Sequence, residues 1–335
     1  MPPVRVFLTH SPEMRANYYG ARALAELRAV AEVRLNSLGR VLSTAEIIAE
    51  AKGCEIIIAD RQTPGEAAVF ESLPDLCVFE RVAVDIRNID VAAASGAGVL
   101  VTRASPGFVP AVAEWIVGAM VDAGRHVIHY SDAYRAGAAP PDSRMGKQLK
   151  GSTIGIIGYG AIGSYLAALA LALGMRVIVH DPYKKVAPPL VQADLASLLG
   201  AADFVVPLAV ASEETENLID AAALARMKPT AWLINASRGN LVDEAALERA
   251  LDGKRIAGAA LDVGRAPDQM PSQHLARRAD VIATPHIAGL TPEAIEHQAL
   301  ETARQAAALI RGEIPPGAVN ADKATKLARI KRAPA

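Results

Sequence analysis

The chain has 335 residues, and at about 100–200 residues per domain that length predicts two domains with sizeable cores and excludes a minimal module. Lys and Arg total 35 against 36 Asp and Glu, a formal net charge of −1, so no global field exists to hold a nucleic acid or an anionic membrane, and the expected partner is a small molecule. Apolar residues at 51% and charged residues at 21% set the chain apart from disordered sequences.

Met1-Pro2-Pro3-Val4-Arg5-Val6-Phe7-Leu8 leads straight into a strand and lacks the layout of a secretory signal. No run of 18 residues is apolar enough to cross a bilayer, and the expected compartment is the cytoplasm. Short β-branched runs then alternate with amphipathic stretches, the pattern of parallel sheets covered by helices. Val4–Thr9 reads as a strand, Pro12–Val30 as one helix, and Glu55–Ala59, Leu76–Phe79 and Gly98–Thr102 as further strands. Cys54 and Cys77 lie beside these apolar runs and read as buried packing. Two cysteines are too few for a disulfide framework, no His/Cys cluster has zinc-ligand spacing, and no metal is expected.

The pattern breaks at Ser105-Pro106-Gly107. An apolar helix follows over Pro110–His126, then a polar loop over Arg135–Lys150. A second alternating block has strands at Thr153–Ile157, Arg176–His180, Phe204–Val206, Ala231–Asn235, Gly258–Leu261 and Val281–Ala283. A long helix is predicted over Pro292–Arg311. The basic tail from Ala321, with Lys323, Lys326, Arg329, Lys331 and Arg332, reads as a solvated, frayed terminus rather than a nucleic-acid arm.

Gly158-Tyr159-Gly160-Ala161-Ile162-Gly163 matches G-x-G-x-x-G, a weak pattern that gains force from its setting. It follows the strand Thr153–Ile157, precedes the helical run Ser164–Leu173, and is followed by the strand Val177–Val179 and Asp181. Gly158 permits a tight turn, Gly160 lets backbone approach a pyrophosphate, and Gly163 brings helix against strand. The helix N-terminus offers free N–H groups to phosphate. Asp181 would accept the ribose hydroxyls and repel a 2′-phosphate, which favours NAD; Lys184 and Lys185 leave NADP possible.

Ligands of doubly wound sheets sit at the carboxyl ends of strands, and three such ends carry polar groups. They are Asn235-Ala236-Ser237-Arg238-Gly239, Leu261-Asp262-Val263 and Thr284-Pro285-His286-Ile287-Ala288-Gly289. With the glycine loop, Asn88-Ile89-Asp90 and Val112-Ala113-Glu114, their order and spacing resemble the D-2-hydroxyacid dehydrogenase family. The residues agree with that chemistry. Arg238 is a permanently charged fork suited to a carboxylate or a carbonyl oxygen. His286 can move the alcohol proton near neutral pH as hydride is exchanged with nicotinamide. The plainer roles are an ion pair of Arg238 with Asp243 or Glu244, and a packed core histidine. The resemblance implies that Asp262 meets the carboxamide end of the cofactor, with further contacts from Val112, Ala161, Ile162, Ala209, Ala236 and Ser237.

Two departures concern the substrate. The family's Glu, five residues after the Asp and paired with the catalytic histidine, is Pro267 here. Asp268 is the nearest carboxylate and a candidate catalytic partner if the loop bends differently. Without one, the imidazolium loses an opposite charge. In the first domain the substrate-carboxylate loop, candidate binding residues Ala83, Val84 and Asp85, carries Asp85 where the family has glycine. That anion repels a substrate carboxylate unless Arg81 or Arg87 neutralises it.

The sequence therefore predicts an α/β protein of two doubly wound domains, flavodoxin-like and Rossmann, with a cleft between them. Residues 1–104 with 290–335 form a discontinuous substrate-binding domain, and residues 105–289 bind NAD. The expected function is hydride transfer between NAD and a small D-2-hydroxy or 2-oxo acid. The alternatives are a dinucleotide-binding regulatory protein and a dehydrogenase of a specialised substrate. Family members of this kind imply a homodimer, with residues 107–150 at the contact.

Overall fold

A computed structural model describes residues 2–137, 145–266 and 268–331 of the chain. The chain divides into two compact units, Met1–Gly107 with Pro292–Ala335, and Phe108–Thr291.

The first unit holds strands β1 (Arg5–Leu8), β2 (Glu32–Leu35), β3 (Ile56–Ala59), β4 (Val78–Arg81) and β5 (Leu100–Arg103). They form one parallel sheet in the order β2-β1-β3-β4-β5, which is the flavodoxin-like order. Helices α1 (Pro12–Tyr18), α2 (Ala21–Arg28), α3 (Thr44–Glu50), α4 (Ala67–Ser72) and α5 (Val91–Gly96) connect them. A core with Leu27, Val78 and Leu309 lies on one face and a core with Phe70, Phe79 and Ile47 on the other. β3 is buried along its whole length, as a central parallel strand covered on both faces requires.

The second unit contains α6 (Val109–Arg125), α7 (Val127–Arg135), β6 (Thr153–Ile157), α8 (Ala161–Ala172), β7 (Arg176–His180), β8 (Val191–Gln192), α9 (Leu195–Ala201), β9 (Phe204–Pro207), α10 (Ala221–Arg226), β10 (Trp232–Asn235), α11 (Glu244–Asp252), β11 (Gly258–Leu261), α12 (Gln273–Ala276) and β12 (Val281–Ala283). Its parallel sheet runs β12-β11-β10-β9-β6-β7-β8. The order reverses between β6 and β9, where such sheets bind ligands. The chain re-enters the first unit in α13 (Pro292–Arg311), whose buried stripe includes Ala299, Ala303, Ala306 and Leu309.

Two sequence expectations change, and two strands are added. The single helix Pro12–Val30 is two helices, because Gly20 takes φ +84° between them and the i→i−4 ladder stops there. β2 and β8 went unread: β2 is an edge strand with Glu32 and Arg34 facing out, and β8 is an exposed two-residue strand. The tail is not frayed through Ile330. Ile330 is 0% exposed, Lys326 N donates to Gly98 O at 3.0 Å, and Arg329 Nη1 donates to Pro74 O at 3.0 Å. Its apolar positions outweigh its charge. Both cysteines are buried and free.

Candidate active site

The glycine loop leaves β6 through Gly158 at φ +98°, where a Cβ would lie 2.7 Å from Ala209 N. Only glycine lets the loop after β9, with half-buried Ala209, approach so closely. At Gly163 a Cβ would stand 2.3 Å from Gly158 O, so α8 packs directly on the turn. Gly160 differs: a Cβ there meets nothing within 4 Å. It is the N-cap of α8 and supplies no side-chain cap, so the first N–H groups of the helix at Ala161, Ile162 and Gly163 have no side-chain acceptor from it. Open space beside uncapped donors is what a pyrophosphate needs.

At the end of β7, Asp181 Oδ2 accepts from Tyr159 N at 2.7 Å, and Oδ1 accepts from Tyr183 N at 2.8 Å and Lys184 N at 2.9 Å. Desolvation works to raise its pKa, but these N–H groups and the Lys184 charge outweigh it and hold the carboxyl below its ordinary range. Three of about four lone-pair directions are taken, which leaves one on Oδ2 for a ribose hydroxyl. The residues present fit a dinucleotide.

Strands β10, β11 and β12 are neighbours in register, with Asn235 opposite Leu261 and Leu261 opposite Ala283. Arg238, Asp262 and His286 thus leave from three adjacent strand ends. Past β10, Ala236 is buried and Ser237 half-buried. Buried Asn235 brackets this turn: Ser237 N donates to its Oδ1 at 3.1 Å, and its Nδ2 donates to Arg238 O at 2.9 Å. Arg238 is exposed, with Nη1 donating to Ser237 O at 2.8 Å. Gly239 follows where a Cβ would lie 2.1 Å from Gly264 O.

Asp262 is 1% exposed. Its Oδ1 accepts from Thr284 Oγ1 at 2.6 Å and Ile287 N at 2.8 Å, and its Oδ2 from Ala288 N at 2.8 Å. Between these donors His286 is half-buried and adopts φ +57°, a left-handed conformation that a non-glycine residue keeps only when its surroundings impose it. The carboxylate read from sequence as a cofactor contact thus holds the histidine loop. Val112, 5% exposed, packs in α6 beside Gly289.

Pro267 lies outside the described residues. Asp268 is exposed in a turn where its Oδ1 accepts from Met270 N at 3.0 Å. In the first unit, Ala83 and Val84 are half-buried after β4 and Asp85 is exposed. Arg87 grips Asp85 in a fork, with Nη2 to Oδ2 at 2.5 Å and Nε to both oxygens at 3.0 Å. Arg81 turns inward instead and donates to Asp60 O, Thr63 O and Asn88 Oδ1. Of the two arginines the sequence offered as neutralisers, Arg87 forms the ion pair. The sequence motifs include Asn235 and Thr284 without giving either a role, and Arg265 lies outside them; a polar residue at the last position of a buried strand is the signal that Asn235 carried.

Residues 117–288 match the family described as D-isomer specific 2-hydroxyacid dehydrogenase, NAD binding domain. The chain belongs to that family. It is an NAD-dependent oxidoreductase, and NAD is its cofactor. It is 34% identical over 285 residues to a D-3-phosphoglycerate dehydrogenase of Synechocystis sp., covering 83% of this chain and 51% of that protein. Against a glyoxylate reductase of Thermofilum pendens it is 35% identical over 283 residues, covering 80% of this chain and 83% of that one. The chain therefore spans about half of the first relative and most of the second. Among solved structures, D-lactate dehydrogenase with NAD+ from Lactobacillus jensenii superposes with TM-score 0.83 and 28% identity, over 94% of this chain and 99% of that one.

Proposed function

We propose that this protein transfers a hydride between NAD and a small D-2-hydroxy acid or its 2-oxo counterpart. The observation that carries the reading is the register of β10, β11 and β12, which sends a guanidinium, a buried carboxylate and an imidazole from three adjacent strand ends. NAD, when bound, supplies the hydride acceptor or donor. The N-terminus of α8 holds the pyrophosphate and Asp181 the ribose hydroxyls. Arg238 grips the substrate carboxylate, and its fixed charge polarises the carbonyl beside it. His286 gives or takes the proton at the hydroxyl oxygen. Ala83, Val84 and Asp85 are assigned to substrate recognition, with Asp85 neutralised by Arg87. Asp268 is the carboxylate assigned to support His286.

The test is a panel of 2-oxo acids with NADH, and with NADPH in parallel, followed at the reduced-nicotinamide band. Turnover of at least one acid is expected with NADH. Replacing His286 by Gln or Arg238 by Gln should lower it by about 10²–10⁴-fold, the usual contribution of such groups, while NADH binding survives. No turnover across the panel, with NADH still bound, would replace the reading by a dinucleotide-binding regulatory protein.

A second copy of the chain is the proposed partner. α7 has no buried residue, and Val127 and Ile128 on it and Val121 on α6 are 53%, 49% and 41% exposed, an apolar surface that pairing would cover. Light scattering at micromolar concentration should give twice the chain mass. Among the described residues no helix is long and apolar enough to cross a membrane. A cytoplasmic site is proposed, where NAD is turned over and the buried thiols of Cys54 and Cys77 stay reduced.

A further inference from the structure

Arg265 follows Asp262 by three residues, in the loop after β11. Its side chain makes four hydrogen bonds, all to the segments at 216–217 and 240–242. Nε donates to Val242 O at 3.0 Å, Nη1 to Glu216 Oε1 at 2.7 Å, and Nη2 to Asn240 O at 2.9 Å and to Asn217 Oδ1. Its backbone N donates to Glu244 Oε1 at 2.8 Å, and Asn240 Nδ2 donates to Glu216 Oε2 at 3.0 Å. An ion pair with 34% and 41% of its side chains exposed adds little stability by itself. The bonds to Asn240 O and Val242 O are of another kind. They clamp the single helical turn Gly239–Leu241, which starts immediately after Arg238. Gly264 O lies so near Gly239 that a Cβ there would stand 2.1 Å from it, so the two loops approach closely at this turn.

We propose that Arg265 is a positioning residue: by holding the turn Gly239–Leu241 it sets the direction in which Arg238 leaves β10, and so the orientation of the substrate. This rests on Arg238 being the group that grips the substrate. Arginine is required because only a planar fork reaches a carboxylate and two carbonyls on separate segments at once; a lysine places one point charge.

The full-length protein is compared with its Arg265→Lys and Arg265→Ala variants by amide hydrogen exchange, NADH titration and steady-state kinetics on whichever 2-oxo acid the panel finds. Both variants should exchange faster in peptides covering residues 237–243 and hold NADH as before. Their KM for the oxo acid should rise, with kcat/KM falling about 10- to 100-fold, as a displacement near 1 Å costs. A merely structural role would instead lower the melting temperature and leave KM alone. Unchanged exchange over 237–243 in either folded variant overturns the proposal, as does Arg265→Lys with the original KM, since the charge pair alone would then suffice. If Arg265→Ala does not fold, Arg265→Lys carries every readout. A chain that turns over no oxo acid would count against the proposed function, while the exchange measurement would still decide whether Arg265 holds the turn.

Discussion

Asp262 accepts the Ile287 N–H at 2.8 Å, one residue past a histidine held at φ +57°. The bond works with those from Thr284 Oγ1 and Ala288 N to impose a conformation that the backbone avoids on its own. Asp262→Asn replaces one acceptor oxygen by a donor that faces N–H and O–H groups, leaving a buried donor unmet at about 1–3 kcal/mol. The expected result is a lower melting temperature together with a loss of turnover. Thr284→Val removes one donor and leaves the two backbone bonds, so its turnover should fall with a smaller loss of stability. Thermal melts and initial rates check both; an Asp262→Asn protein with unchanged melting and rate would refute the clamp.

The three glycines of the loop are not equivalent, and that difference is measurable. Beyond its chain neighbours, a Cβ at Gly160 meets nothing within 4 Å among the described residues, whereas one at Gly163 would stand 2.3 Å from Gly158 O. Gly160→Ala should therefore melt like the original chain yet bind NADH more weakly, because among the described residues its methyl has open space that the proposed pyrophosphate site occupies. Gly163→Ala should lose stability as well as NADH, because α8 must move off the strand. Calorimetry of binding beside a thermal melt separates the two, and weak NADH binding in neither variant would rule out this loop as the pyrophosphate site.

Alternation of apolar runs with helical stretches was enough to predict most strands of both units, since central parallel strands such as β3 are apolar throughout. Edge strands escaped because they are short or half-solvated, as in β2 and β8. The candidate site was legible as the placing of Arg238 and His286 past the ends of β10 and β12, and their roles belong to the proposed function. It was not legible where one side chain serves another's backbone. Asp262 binding Ile287 N and Arg265 binding Asn240 O depend on register between distant segments, and no local pattern encodes that. The same limit applies to Asp85: that Arg87 forks onto it while Arg81 donates to Thr63 O follows from the fold and not from the spacing.

Two buried groups in the first unit should shape stability against pH from opposite sides. Both carboxylate oxygens of Glu80 on β4 are buried without a hydrogen-bond partner among the described residues, and burial pushes its carboxyl well above the ordinary 4.5. The native state therefore keeps a proton that the unfolded chain releases, so this contribution is full below 4.5 and is lost as pH rises through the native value. His10 behaves inversely. Burial, opposed by Asp60 and reinforced by Arg15 and Arg81, lowers its pKa from 6.5 to about 4, so stability is lost as pH falls through that interval. Glu80→Gln should gain melting temperature over the original chain at about pH 8 and lose that advantage near pH 5, because the amide never ionises. An alkaline slope that survives in Glu80→Gln would assign it to another group.

The substitution of Pro267 for the family's Glu makes its own prediction about the rate of carbonyl reduction. In the proposed mechanism reduction needs His286 protonated, and an adjacent carboxylate favours the charged imidazole. The rate of reduction should therefore fall along an alkaline limb, where His286 gives up its proton. Pro267→Glu should carry the limb upward by about one pH unit, the scale of a single close opposite charge. Asp268 is exposed and has one oxygen engaged by Met270 N, so Asp268→Asn should move the limb downward by less than Pro267→Glu moves it up. A pH–rate profile of all three proteins on one 2-oxo acid decides the matter. If the rate of the original chain stays level above about pH 8, a carboxylate other than these supports His286 and the assignment to Asp268 falls, and a rate that rises there overturns His286 as the proton donor.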